Sequence, residues 1–242
     1  MHDIGYAFAV VFLGYFVLGV TGFGSSLVVV PLLSWRWPLP QVVMLALMLD
    51  LPASAMLGGL NFRDVDKGEF AMLLPGMAVG SAFGLWLRGS VDPRWPVLVL
   101  GIYIAIVGAR ALLAAHAVQQ QAPARWRGPA GVAAGLIEVM FATAGPVVLA
   151  WLTRRVTDIR SVRATTPATM TVCAATALAV IAFDGGLTDP AAWQRWAVML
   201  AVAVAGVVIG NRVARHVPVG MLRRVVNAML VTSGLALVMR AM

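Results

Sequence analysis

Stretches of about 20 apolar residues succeed one another from one end of this chain to the other, each long enough to cross the hydrocarbon core of a bilayer. They fall at 4–33, 40–60, 69–88, 95–115, 129–152, 164–183, 192–211 and 221–240, with short polar connections between them. Only 12% of the residues are charged and 61% are hydrophobic, whereas a soluble domain carries roughly a quarter charged residues. So few charges cannot cover a water-facing surface. The expected fold is therefore all-α: a polytopic membrane protein of about eight transmembrane helices with almost no soluble part.

A net charge of +8 would suggest nucleic acid in a soluble protein. In a membrane protein it follows from the retention of Arg and Lys in cytoplasmic loops, so no nucleic-acid partner is expected. Lys67 is the single lysine, and arginine suits contact with lipid headgroups. Cys173 is the lone cysteine, and His2, His116 and His216 share no ligand spacing. No disulfide framework, metal site or cofactor is expected. The N-terminal segment lacks a basic stretch and stays apolar for some 30 residues, which reads as a retained helix and not as a cleaved signal.

Residues about 126 apart match in a suggestive way. Gly59, Gly80, Gly84 and Gly108 fall opposite Gly185, Gly206, Gly210 and Gly234. Two homologous halves are expected, a first transmembrane repeat over 1–118 and a second over 129–242, joined by a linker loop at 119–128. The runs Gly76, Gly80, Gly84 and Gly206, Gly210 read as close helix crossings, since small residues four apart let backbones approach. With eight simple crossings, Arg36, Arg88, Arg94, Arg154, Arg155, Arg160, Arg163, Arg212, Arg215, Arg223 and Arg224 collect on one side, expected to be cytoplasmic with both termini outside. Arg63, Lys67, Arg110, Arg125, Arg127, Arg195 and Arg240 collect on the other, with Glu69 and most of the acids. Re-entrant hairpins at segments 1 and 5 would change this parity and invert the second repeat. In either case the Arg154–Arg163 and Arg212–Arg224 loops face the cytoplasm.

The chemistry concentrates at two interruptions. Segment 1 is too long for one straight span, and Thr21, Gly22, Phe23, Gly24, Ser25 and Ser26 break it before Pro31. At an offset of 120, Ala142, Thr143, Ala144, Gly145 and Pro146 break segment 5. Broken helices are tolerated at membrane depth only inside protein or beside an aqueous cavity. Their freed N–H groups and positive dipole ends form an anion site. A substrate anion is therefore expected midway across the membrane between the two breaks, bound by backbone N–H groups and by Ser25, Ser26 and Thr143.

Two carboxylates, Asp50 and Glu138, lie inside apolar spans. Each costs at least about 2.5–3.5 kcal/mol at the bilayer centre and is by default a functional candidate. Both are candidates for proton coupling. Arg36, Arg63 and Arg163 are candidates for steering anions at the pore mouths, although topology accounts for them equally well. Trp35, Trp37, Trp95, Trp126, Trp151, Trp193 and Trp196 read as interface anchors near segment ends. Gly22-Phe23-Gly24 is not a dinucleotide fingerprint, because no strand precedes it.

These segments resemble the sulfite exporter TauE/SafE family of membrane permeases. Its halves open with glycine-rich stretches of the form GxGGxxxxxPxL or GxGGP. Gly22-Phe23-Gly24-Ser25-Ser26 with Pro31-Leu32 is similar to the first, and Gly135 with Ala144-Gly145-Pro146 to a degraded second. Ser25, Glu138, Ala142 and Ala144 depart from the glycine-rich pattern. The resemblance implies a secondary transporter of the cytoplasmic (inner) membrane that moves sulfite, thiosulfate or an organosulfonate, usually outward by alternating access. The partners it implies are a small sulfur anion and membrane lipids, and a homo-oligomer stays open. Nothing in composition or spacing points to sulfur.

Two other classes compete. An intramembrane enzyme needs a nucleophile–base pair or metal cluster within the bilayer, and only isolated Ser, Thr and two carboxylates are available. A passive anion channel needs a continuous pore without alternating gates, and an assembly factor a packed centre without a cavity.

Overall fold

The computed structural model describes residues 2–59, 62–92, 94–113, 122–214 and the single positions 231, 235, 238 and 239. The expected eighth segment, 221–240, and the start of the linker at 119–128 lie outside the described residues or nearly so. Among the described residues the regular structure is helical: α1 (His2–Thr21), α2 (Ser25–Leu33), α3 (Leu39–Gly59), α4 (Lys67–Ser90), α5 (Arg94–Leu113), α6 (Arg127–Phe141), α7 (Gly145–Leu152), α8 (Ile159–Phe183) and α9 (Pro190–Val213). Five of these, in α1, α3, α4, α8 and α9, are long and apolar enough to cross a membrane, and α5 carries a shorter apolar stretch, Trp95–Val107.

Local chemistry sets where the helices begin. Asp66 accepts the Glu69 N–H through Oδ1 at 3.0 Å and opens α4. Asp158 accepts the N–H groups of Arg160 and Ser161 and opens α8, while Asp189 accepts the Ala191 N–H at the start of α9. Each satisfies amides that a helix leaves without partners.

The chain forms two compact units. One comprises 1–42, 90–117 and 197–242, and the other 43–89 and 118–196. Each unit therefore draws on residues from both of the expected halves, 1–118 and 129–242.

In the first unit α2 folds back along α1. Tyr6 Oη donates to the Leu32 carbonyl at 2.8 Å. A Cβ on Gly14 would strike the Val29 side chain and lie 2.8 Å from the Ser25 carbonyl. The core here is Val10, Val11, Tyr15 and Leu18 of α1, Leu27–Val30 and Leu33 of α2, and Leu100 and Ile104 of α5. α9 runs parallel to α1 in direct backbone contact. A Cβ on Gly210 would collide with the Phe16 carbonyl, and one on Gly206 would lie 2.8 Å from the Phe12 carbonyl.

In the second unit α7 folds back along α6 in the same way, and α4 runs parallel to α6. A Cβ on Gly80 would collide with the Val132 carbonyl, and one on Gly135 with the Met77 carbonyl. The Ser81 hydroxyl donates to the Gly135 carbonyl across this crossing at 3.4 Å. Leu73, Met77, Ala134, Val148, Trp151, Leu152, Val162, Met170 and Cys173 make up the apolar core. The opposite face of α4 carries Met72, Val79, Phe83 and Trp86, all exposed. A face that apolar needs hydrocarbon against it. The glycine runs that read as close crossings are close crossings.

The fold-back corrects the expectation of eight simple crossings. α2 has 9 residues and α7 has 8, so they are only about 13 Å and 12 Å long. Neither crosses a core of about 30 Å. Segments 1 and 5 each fold as a helical hairpin, α1 with α2 and α6 with α7.

Candidate functional site

The two hairpin turns are built alike, in register at the offset of 120. α1 ends at Thr21 and α6 at Phe141. The next residues, Gly22 (φ 85°) and Ala142 (φ 54°), are both left-handed. The Gly22 N–H donates to the Leu18 carbonyl at 2.8 Å, and the Ala142 N–H to the Glu138 carbonyl at 2.7 Å. The returning helices start at Ser25 and Gly145. Left-handed backbone is natural for glycine and strained for alanine, so the second turn keeps the first turn's shape at some cost.

Within the first turn Gly24 is also left-handed, at φ 93°. Thr21 ties the turn together: its hydroxyl lies 2.9 Å from the Val17 carbonyl and 2.5 Å from the Phe23 carbonyl, and it accepts the Phe23 N–H at 3.3 Å. Thr21, Gly22, Phe23 and Gly24 are half-buried, and Ser25 and Ser26 are buried. The dipole of α2 points its positive end at this turn.

Within the second turn Thr143, Ala144 and Gly145 are buried and Pro146 is half-buried. Pro146 sits in the first positions of α7, where its missing N–H costs nothing. Glu138 is completely buried, and its Oε2 accepts the Ala144 N–H at 2.9 Å. Its Oε1 has no hydrogen-bond partner. Asp50, buried in α3, is close enough for its charge to act on Glu138, and Glu138 in turn acts on Cys173 of α8. The two intramembrane carboxylates therefore belong to one electrostatic group inside the second unit. The residues at 21–26 belong to the first unit and those at 143–146 to the second.

A further cluster was not visible in the sequence. Glu69, in the first turn of α4, is buried and uses both oxygens. Its Oε1 accepts Arg127 Nη2 at 2.7 Å and Arg155 Nε at 3.1 Å, and its Oε2 accepts Trp151 Nε1 at 3.1 Å. Arg155 also donates to the Ala122 carbonyl at 3.1 Å. Both ends of the α6–α7 hairpin are thus fastened to the start of α4. The start of α8 lies at the same end, where Ser161 donates to the Asp64 carbonyl and Thr165 accepts the Asp66 N–H. Simple crossings would separate Arg155 from Arg127 and Glu69 by the width of the membrane, and that side assignment is overturned. Trp151 is likewise no interface anchor: the returning α7 carries it into the core, where Glu69 takes its indole N–H. Trp35, Trp95, Trp126 and Trp193 are exposed, as anchors are. Of the arginines considered for steering, Arg36 is exposed and lies over the Tyr6 ring at 5.1 Å, and Arg63 is exposed. The Arg163 side chain lies outside the described residues.

With hairpins, parallel glycine crossings and intramembrane carboxyls in place, comparison with known proteins settles the family. The sequence profile of the sulfite exporter TauE/SafE family matches residues 7–237. The chain belongs to the sulfite exporter TauE/SafE family. A TauE/SafE protein is a membrane transporter, and the apolar helices described above are its membrane-spanning part. The probable inner membrane transporter protein TsaS of Comamonas testosteroni is 47% identical over 195 residues, covering 80% of this chain and 81% of that protein. No solved structure matches this TauE/SafE member.

Proposed function

We propose that the protein exports a small sulfur oxyanion, sulfite or an organosulfonate, across the cytoplasmic membrane as a secondary transporter by alternating access. The observation that carries this reading is the pair of hairpin turns. Each ends an apolar helix and opens a short one folded back along it, whose positive end has hydroxyl-bearing residues beside it, Ser25 and Ser26 in one and Thr143 in the other. Family membership favours sulfur anions, and the relative's printed name favours the inner membrane.

On this reading neither hairpin crosses the bilayer, and the second repeat is inverted relative to the first. Under that threading Arg63, Lys67, Arg110, Arg125, Arg127, Arg154, Arg155, Arg160, Arg163 and Arg212 share the face of Glu69. Arg36, Arg88, Arg94 and Arg195 share the other. This asymmetry is sharper than eight crossings would give, and the positive-inside rule assigns the Glu69 face to the cytoplasm. A basic inner face gathers anions. An inside-negative potential then favours their exit by about 2.3 kcal/mol per charge per 100 mV. Glu138 and Asp50 are assigned to proton handling.

The test is thermal stabilisation of the purified protein by sulfite, sulfate, thiosulfate and sulfoacetate, with chloride as control, since a ligand that binds the native state raises its apparent stability. Selective stabilisation that disappears in Ser25→Leu or Ser26→Leu supports the substrate class and the site together. Equal affinity in those variants removes the first turn from the site, and the absence of any anion effect sinks the anion reading.

A further inference from the structure

Glu69 and Glu138 are both buried carboxyls, and they differ in how they are held. Glu69 has three donors for its two oxygens. Glu138 has one, the Ala144 N–H, and its Oε1 faces no donor although it is fully buried. A bare carboxylate oxygen away from water is costly. Among the described residues no cation offsets it. α3 presents Asp50 and α8 presents Cys173. α7 carries no ionisable side chain, and α4 carries none between Glu69 and Arg88.

Nor does the turn need Glu138 for its shape. Its counterpart at the offset of 120 is Leu18, whose carbonyl accepts the Gly22 N–H just as the Glu138 carbonyl accepts the Ala142 N–H. The first hairpin forms the same turn with an aliphatic side chain at that place. Glu138 is therefore an addition at the positive end of α7, where the residue at the cap, Ala144, has no side chain able to do the job.

We propose that Glu138 is a tethered stand-in for the transported anion: its carboxylate occupies the amide end of α7 in the empty protein and withdraws, on taking up one proton, when a substrate anion takes its place. This rests on the anion-transport reading above and adds the residue that competes with the substrate. For a monovalent anion one negative charge replaces another at the same N–H group, and the proton neutralises the displaced carboxyl, so the buried charge stays constant; a divalent anion adds one charge, and the proton keeps it from adding two. The tether is short, six residues from Glu138 to Ala144, and the three side-chain torsions of Glu allow the head to swing away without moving the backbone.

The test measures binding of sulfate and thiosulfate, whose charge is constant from about pH 5 to about pH 10, to the purified wild type and to Glu138→Gln and Glu138→Leu, the second copying the first hairpin. In the wild type Kd falls with falling pH by up to about tenfold per unit, the slope of one linked proton. Both variants bind at every pH at least as tightly as the wild type does at its acidic limit, with no slope. A wild-type slope retained in both variants overturns the proposal. So does loss of binding in variants that melt at the wild-type temperature, which would make Glu138 a ligand instead of a competitor. Infrared difference spectra of the wild type alone provide a second readout: anion addition at alkaline pH, where the carboxyl of the empty protein is ionised, should raise the C=O band of a protonated carboxyl, and its absence overturns the proposal even if both variants misfold. Binding without slope or band sinks only the stand-in. No binding to any form sinks the transport reading along with it.

Discussion

Arg127 and Arg155 stand at opposite ends of the α6–α7 hairpin and bond the same oxygen, Glu69 Oε1, at 2.7 and 3.1 Å. Two guanidinium groups held together by one acid repel each other once that acid is gone, and the Trp151 indole then loses its acceptor as well. The hairpin is closed at its base by chemistry contributed from α4, and its stability depends on a residue outside it.

Glu69→Ala should therefore destabilise the protein by about 3 kcal/mol, the low end of what breaking a buried ion pair costs, because both arginines keep some contact with solvent. Trp151→Phe, which loses only one hydrogen bond, should cost about 1 kcal/mol. Unfolding in detergent measures both, and equal effects would mean that the arginines contribute nothing.

Gly135→Val should be among the most damaging single changes, since even its Cβ collides with the Met77 carbonyl of α4. Overpacking of this kind costs about 1–3 kcal/mol or more. Gly89→Ala, where an added Cβ meets nothing within 4 Å, should be neutral in the same melt.

Gly24→Ala forces a side chain onto a left-handed backbone and should cost about 1–2 kcal/mol, although the nearest atom to its Cβ is a comfortable 3.7 Å away. Gly24→Asn should recover part of that loss. An Asn variant no better than Ala would mean that space, and not backbone conformation, selects glycine there.

Single cysteines at Arg36, Arg63, Gly89 and Arg154 discriminate the threading. With hairpins, an impermeant thiol reagent applied to whole cells labels positions 36 and 89 and spares 63 and 154. With eight simple crossings, 36, 89 and 154 behave alike and 63 is the exception. Cys173 is fully buried and should give little background.

Much of this was legible in the residues. Low charge and repeated apolar runs indicated the membrane, and the interruptions at Gly22 and Ala142 mark the turns to the residue. Asp50 and Glu138 stood out because carboxyls are costly in apolar spans. The direction of the chain after each break was not legible, because a left-handed residue that ends a helix looks the same whether the chain continues or returns. Only the short lengths of α2 and α7 and their cross-contacts decide it. Glu69 was hidden for a related reason. An acid in the first turn of a helix is ordinary, and what sets it apart lies at Arg127, Trp151 and Arg155, far away in sequence. Trp151 was misread because a tryptophan near a segment end usually meets lipid.

Because α7 brings the chain back to the end from which α6 set out, neither Arg127 nor the Arg154–Arg155 pair has to be carried through the hydrocarbon while the protein is being made. On the proposed threading the hairpin dips into the bilayer with the turn around Thr143 leading, and between Arg127 and Arg154 its one ionisable side chain is Glu138. With the Glu69 face placed in the cytoplasm as proposed, the hairpin can enter from the ribosome's side, and it becomes fixed when its two arginines meet Glu69, which precedes both in the sequence.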